Sequence, residues 1–87
     1  MYKPRAGDLV VSLCGHDRGE VFVVINIGDD YVTICDGKRR KAEKGKKKKI
    51  KHIQPMGLNT DLIHNVPDYA VDATVRREIK RLTGGES

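Results

Sequence analysis

Residues 38–51, with the sequence KRRKAEKGKKKKIK, hold ten of the seventeen Lys and Arg residues in the chain and one acid, Glu43. The other residues are net negative, so the overall charge of +5 comes from this basic tract. Dense local positive charge favours polyanions, of which nucleic-acid phosphate is the commonest in a cell. The tract therefore predicts phosphate binding through its ten cations: Lys38, Arg39, Arg40, Lys41, Lys44, Lys46, Lys47, Lys48, Lys49 and Lys51.

The residue types in the basic tract suit contact with phosphate of any sequence. Lysine is a flexible point charge, whereas Arg39 and Arg40 can add bidentate contacts or stacking. Strand alternation would place Lys38 and Arg40 on one face. Arg39 and Lys41 would then lie on the other face. The lysines within residues 44–49 repel one another, so we expect them to form a mobile loop in the unbound protein.

A second candidate site is a glycine-flanked loop, residues 15–19, which holds His16 and Arg18 between two glycines. The glycines allow a tight turn whose N–H groups can face phosphate. Arg18 can contact a phosphate or a base edge, and His16 can stack on an unpaired base. A plain turn between two strands is an equally good interpretation.

Metal binding and catalysis find little support in the sequence. Cys14, His16, Cys35 and His52 are the candidate zinc ligands, but their spacing matches no structural zinc pattern. A nucleophilic Cys14 assisted by His16 would also need an oxyanion donor, and none is identifiable. We therefore expect no metal, no cofactor and no enzymatic activity.

The composition limits the class of protein further. A chain of 87 residues forms one domain with a small core and rarely encloses a deep catalytic pocket. Its two cysteines are too few for a secreted disulfide scaffold, and the sequence has no evident signal peptide. No apolar run approaches the roughly 20 residues of a membrane helix. These features predict a cytoplasmic protein that does not contact membrane.

The elements that position the two candidate sites are short strands. The β-rich segments are residues 9–14, 20–27, 31–35 and 50–53, the last of them stopped by Pro55. Residues 28–30 predict a turn, and Asp36-Gly37 is a strong hairpin signal that leads into the basic tract. The second strand is apolar on both faces, as expected of a strand that serves both halves of a barrel. The pattern predicts a mainly β fold, an SH3-like barrel over roughly residues 5–55.

A helix is predicted after a connector at residues 56–64. Four apolar residues form one stripe over residues 69–82: Val71, Val75, Ile79 and Leu82. We expect Asp68 to cap the helix, Gly84-Gly85 to end it, and Asp72 to pair with Arg76. The stripe either packs on the barrel or docks onto another molecule. The domain boundaries that follow are 1–55 for the barrel and 56–87 for the connector and helix.

The segment from Gly7-Asp8 to the second strand resembles a KOW motif, in which a glycine-flanked polar loop separates two such strands. The likeness continues through Asp36-Gly37-Lys38-Arg39-Arg40 to Lys51-His52-Ile53. This longer stretch, about 50 of the 87 residues, resembles the large-subunit ribosomal protein fourteen-e family and the small bacterial KOW-domain proteins similar to it. The resemblance implies an SH3-like barrel that binds RNA, in particular ribosomal RNA, through the loop and the basic tract.

Two functions from different classes follow from these observations. The first is a ribosome-associated RNA-binding module, in which the basic tract lies beside the glycine-flanked loop. Because Phe22 and Tyr31 are the only aromatic residues in the predicted strands, we expect it to recognise the backbone and shape of structured RNA. The alternative is a protein-interaction module that docks on a transcription or translation factor through the barrel or the helix stripe.

Overall fold

A computed structural model describes residues 2–84, which fold as a five-stranded antiparallel sheet followed by one α-helix. The strands and helix are β1 (Asp8–Ser12), β2 (Val21–Ile27), β3 (Tyr31–Cys35), β4 (Lys46–Lys49), β5 (Ile53–Asn59) and α1 (Val71–Leu82). Single 3-10 turns occur at Ala42–Lys44, Ile50–His52, Leu62–His64 and Asp68–Ala70. The mainly β class with a C-terminal helix is therefore as the sequence predicted.

The strands are ordered β4-β3-β2-β1-β5, so β1 lies between β2 and the last strand. β4 and β5 form the two edges, and within residues 2–84 no backbone pairing joins them. The sheet is thus open, and the closed SH3-like barrel that the sequence predicts is not confirmed. β2, β3 and the turn at residues 28–30 lie within a residue of their predicted positions, whereas β1 ends at Ser12, two residues before the predicted end of the first strand.

One face of the sheet encloses an inner core. Its buried members come from four strands: Val10, Phe22, Val24, Val32, Ile34 and Ile53. Tyr2 and Ile50 pack against this cluster from the chain segments that flank the sheet. β-Branched side chains dominate the cluster, as suits the pleated surface of a small sheet without tryptophan.

The other face of the sheet is covered by α1. The apolar stripe of the helix packs with Leu9, Val23 and Cys35, and Val75 is fully buried there. β2 is apolar on both faces because one face meets the inner core and the other meets the helix. The predicted explanation, that the strand serves both halves of a closed barrel, is not confirmed because the sheet is open. Packing on the sheet is confirmed for the stripe, so it is not a free surface for a partner protein.

α1 differs from the prediction at its start but not at its end. A 3-10 turn at Asp68–Ala70 leads into the helix, and no side chain caps either element. The predicted cap by Asp68 is therefore wrong. At the other end Gly84 has a φ of 94°, as a helix-terminating glycine requires. Gly85, the second predicted terminator, lies outside the described residues.

β5 is longer than the sequence suggests and starts later. Residues Ile50–His52 form a 3-10 turn, and the strand runs through Pro55 and across the expected domain boundary there. Proline lacks an N–H group and is tolerated on an edge strand, where one side of the backbone has no partner. β5 is such an edge, so Pro55 does not stop it.

Candidate nucleic-acid interface

The basic tract does not form one loop. Residues 38–45 belong to the connection after β3, whereas the next four lysines form β4 and pair with β3. The prediction of a mobile loop over residues 44–49 is therefore wrong. The free edge of β3 supplies backbone partners, and a carboxylate of the glycine-flanked loop offsets part of the repulsion between the lysines.

Two lysines of β4 point to the inner side of the sheet and bind the glycine-flanked loop. Lys48 lies opposite Val32 of the inner core, so Lys48 and Lys46 share the inner face. The Lys48 Nζ lies 2.8 Å from the carbonyl oxygen of Cys14 and 3.0 Å from Oδ1 of Asp17. The Lys46 Nζ is 2.9 Å from Oδ2 of the same carboxylate. The basic tract and the loop are thus adjacent, as predicted.

This arrangement reduces the access of phosphate to the inner lysines, Lys46 and Lys48. The side chain of Lys48 is only 7% exposed, so it is not an accessible phosphate ligand, in contrast to the prediction. Lys46 is 31% exposed and keeps some access to solvent. Both ammonium groups bind the carboxylate of Asp17, and these bonds join the edge strand β4 to the loop between β1 and β2.

Asp17 is the centre of the loop. Its Oδ1 also accepts a hydrogen bond of 2.7 Å from the buried hydroxyl of Ser12. Burial alone would raise the pKa of Asp17, but the hydrogen bonds from Lys46, Ser12 and Lys48 outweigh it and hold that pKa far below its usual range. Asp17 is therefore ionised at neutral pH and fixes the loop to two strands.

Part of the backbone of the loop is hydrogen-bonded to the loop itself and to β1. Gly15 and Gly19 both have a φ of 86°, which explains their residue type. The N–H groups of Arg18, Gly19 and Glu20 donate to carbonyl oxygens of residues 15, 12 and 17. These three groups are therefore not free for phosphate, whereas the side chains of His16 and Arg18 are exposed.

The other two lysines of β4, Lys47 and Lys49, lie on the outer face and are exposed. The Lys47 Nζ lies 5.0 Å from the centroid of the Tyr31 ring, within cation–π distance. The ring is therefore covered by a lysine and is not an open platform for a base. The outer face presents two cations on a backbone that is fixed by its pairing with β3.

The connection from β3 to β4 covers residues 36–45 and is not a two-residue hairpin. Oδ1 of Asp36 accepts hydrogen bonds from the N–H groups of Lys38 at 2.9 Å and Arg40 at 3.0 Å. The N–H groups of Asp36 and Gly37 donate to the carbonyl oxygen of Arg40. The predicted strand alternation over residues 38–41 is therefore wrong. Its four cations are instead exposed around a closed turn.

The connection is also attached to α1. Oδ1 of Asp72 accepts a 2.8 Å hydrogen bond from the N–H of Ala42, and the guanidinium of Arg76 donates to the carbonyl oxygen of Gly37. A side chain at Gly37, whose φ is 78°, would collide with the carbonyl oxygen of Asp72. The expected Asp72–Arg76 pair is thus replaced by two bonds that hold the connection against the helix.

The helix contributes cations that sequence reasoning did not assign to the site. Arg77 and Lys80 line the same groove as Lys38 and Arg39 of the connection. Their position off the apolar stripe was the signal that could have revealed them. Arg81 belongs elsewhere, because it binds the buried carboxylate of Glu78 at 2.8 and 2.9 Å.

Among residues 2–84 no group of three His, Cys, Asp or Glu side chains is arranged to hold a metal ion. Cys14 and Cys35 are free thiols. Burial, together with the nearby Asp72 and Asp36, raises the pKa of Cys35 to about 12. This thiol is therefore protonated and unreactive at neutral pH.

No helix within the described part of the chain is long and apolar enough to cross a membrane. Comparison of the chain with models of protein families and with curated proteins found no match. The KOW resemblance accordingly stays a prediction.

Proposed function

We propose that this chain is an RNA-binding module that holds RNA phosphates on the exposed cations of the basic tract. One observation carries the proposal: eight of the ten cations are exposed, while the other two fix the backbone that presents them. The exposed set is Lys38, Arg39, Arg40, Lys41, Lys44, Lys47, Lys49 and Lys51. Solubility alone does not require so high a local charge.

The attachment of these cations supports contact with structured RNA. β4 is paired with β3, and the connection before it is bonded to α1, so little backbone freedom is lost on binding. A fixed array of charges fits one arrangement of phosphates better than another, whereas a flexible tail would adapt to any polyanion. Phe22 is buried and the Tyr31 ring is covered, which leaves the sheet without stacking platforms for single strands.

A partly open barrel of the SH3-like, KOW type is the fold that we propose to accompany this function. The position of β1 between β2 and β5 and the single 3-10 turn between β4 and β5 support it. The bonds of Lys46 and Lys48 to Asp17 also join β4 to the loop between β1 and β2, two strands that are not neighbours of β4 in the sheet. The resemblance to ribosomal KOW proteins favours ribosomal RNA as the partner and the cytoplasm as the location.

Binding to a labelled RNA hairpin over a series of salt concentrations tests the proposal. If six cations pair with phosphates, the logarithm of the affinity falls with the logarithm of salt concentration at a slope of roughly −4 to −5. An affinity that barely changes between low and moderate salt would contradict it. A single-stranded RNA of the same composition is the control, and we expect it to bind more weakly.

Crosslinking in cells tests the ribosomal part separately. The chain is crosslinked to cellular RNA, and the attached fragments are sequenced. We expect enrichment of ribosomal RNA at a small number of sites. Recovery of scattered messenger RNA without such enrichment would contradict ribosome association while leaving RNA binding intact.

A further inference from the structure

A groove of about 670 Å³ lies between the β3–β4 connection and α1. Lys38 and Arg39 line it from the connection. The helix contributes Arg76, Arg77 and Lys80, and the apolar parts of the lining include Val21 and Ile79. Cations from two separate parts of the chain thus face one open channel.

Two carboxylates also line the groove, and both have partners. Asp36 accepts hydrogen bonds from the N–H groups of its own turn. Glu20 lies 3.3 Å from the Arg39 guanidinium, in a pair whose side chains are 82% exposed for Arg39 and 38% for Glu20. An exposed pair of this kind is weak, so Arg39 can leave Glu20 for a stronger anion. Five cations against two partnered carboxylates leave the groove net positive.

The two walls of the groove are held at a fixed separation. Arg76 donates to the carbonyl oxygen of Gly37, and Asp72 accepts from the N–H of Ala42, so the connection cannot move away from the helix without breaking both bonds. Arg76 is therefore mainly a positioning residue. Arg77 and Lys80, which are exposed, remain available for a ligand.

We infer that this groove is a second RNA contact, in which a phosphodiester segment lies between Lys38 and Arg39 on one wall and Arg77 and Lys80 on the other. Arg39 leaves Glu20 and contacts a phosphate oxygen when the RNA binds. Because the Arg39–Glu20 pair must break first, Glu20 lowers the affinity for RNA. The inference rests on the proposed RNA-binding function and extends it to the helix, which lies outside the segment that resembles KOW proteins.

The first test removes the helix cations. The double variant Arg77→Gln/Lys80→Gln is compared with Lys3→Gln/Arg5→Gln, which lowers the net charge equally at exposed positions before β1. We expect the helix variant to bind the labelled RNA hairpin about tenfold more weakly and to lose about 1.4 to 1.8 from the salt slope, as two phosphate contacts require. An equal loss in both variants would mean that only net charge matters and would overturn the inference.

The second test uses a substitution that is expected to strengthen RNA binding. Glu20→Gln frees Arg39 and is expected to strengthen binding of the same hairpin. Its control is Asp29→Asn, an equal charge change at the other end of β2, about 20 Å away along the strand. Equal affinities for the two variants would overturn the exchange of Arg39 between Glu20 and phosphate.

The outcomes separate the inference from the function on which it depends. If the unmodified protein does not bind the hairpin, the RNA-binding proposal fails as a whole. If it binds, and Lys47→Gln/Lys49→Gln weakens binding while Arg77→Gln/Lys80→Gln does not, the groove inference fails alone. Urea unfolding of every variant shows whether a loss of affinity reflects a loss of fold, and a midpoint close to that of the unmodified protein is expected because the altered side chains are exposed or, for Glu20, partly exposed.

Discussion

Lys46 and Lys48 differ from Lys47 and Lys49 although the four residues are identical in type and consecutive in β4. The first pair points to the inner side of the sheet and binds one carboxylate, that of Asp17. The second pair points outward and is exposed. One half of the strand therefore stabilises the fold, and the other half is available for a ligand.

This difference arises from strand geometry and from a single distant acid. Successive side chains of a strand face opposite sides, so a run of four lysines divides into two pairs. Ammonium groups that face a core need a partner, because an unpaired buried charge is costly. Asp17 provides that partner from 31 positions before Lys48. A high local charge thus indicates a binding surface only after the paired cations are removed from the count.

The largest expected effect is on the inner pair. Replacement of Lys48 by Met keeps most of the side-chain volume but removes the ammonium group that binds Asp17 and the carbonyl oxygen of Cys14. We expect the free energy of unfolding, measured with urea, to fall by about 2–3 kcal/mol, since a buried ion pair loses one partner while Lys46 remains. Lys47→Met is the matched control and loses only the contact with the Tyr31 ring, so it should lower this free energy by no more than about 1 kcal/mol. Equal midpoints for the two variants would remove the distinction between the faces.

The second largest expected effect is that of acid on the bonds from Lys46 and Lys48 to Asp17. The pKa of folded Asp17 lies below its ordinary value of 3.8, so its contribution to stability is complete above that value and is lost as the pH falls through the lower pKa. Glu78, whose pKa the Arg81 hydrogen bond lowers from 4.5 to about 2, adds a loss over the same range. As the pH falls below about 4, we expect Asp17→Asn to lose less unfolding free energy than the unmodified protein, by on the order of 2 kcal/mol.

The control for the acid titration is Asp29→Asn in the exposed turn between β2 and β3. It should leave the slope of stability against pH close to that of the unmodified protein. Glu78 is present in both variants, so its contribution cancels in the difference between their curves. A curve for Asp17→Asn as steep as that of the control would show that the bonds from Lys46 and Lys48 do not hold the carboxylate ionised.

Much of the fold was predictable because it follows from local sequence patterns. β-Rich segments bounded by glycine-containing turns indicate β1 to β3, and the stripe from Val71 to Leu82 indicates the helix. β4 was not predictable, because four lysines have no apolar alternation and their pairing depends on the free edge of β3. The extension of β5 past Pro55 was missed for a similar reason, since only the topology makes β5 an edge.

The candidate site was predictable in composition but not in its division of roles. Charge density indicated the basic tract, and the expected closeness to the glycine-flanked loop is confirmed by the bonds of Asp17. The sequence does not say which lysines Asp17 binds, because that depends on the register between β3 and β4. The place of Arg77 and Lys80 beside the connection depends on how α1 lies on the sheet, which no local pattern specifies.

The outer pair should affect binding with little effect on stability. Lys47→Gln/Lys49→Gln removes two exposed charges, and we expect the affinity for the labelled RNA hairpin to fall about tenfold or more at moderate salt. The free energy of urea unfolding should fall by no more than about 1 kcal/mol, through loss of the Lys47–Tyr31 contact, which is less than the fall expected for Lys48→Met. If the double variant binds as the unmodified protein does, RNA does not contact the outer face of β4.

The smallest expected effect lies within the outer pair and concerns Tyr31. Lys47 lies over the Tyr31 ring at 5.0 Å, whereas Lys49 faces solvent from the position paired with Tyr31 across the strands. An exposed cation–π contact contributes about 0.5–1 kcal/mol, so Lys47→Gln should lower the free energy of unfolding slightly more than Lys49→Gln. The two single variants carry the same charge change, which makes their difference in urea midpoint the measurement. Because a base would have to displace Lys47 to stack on Tyr31, Lys47→Gln should also lose less affinity for single-stranded RNA than for the hairpin. An equal loss for both RNAs would mean that the covered ring does not influence which RNA binds.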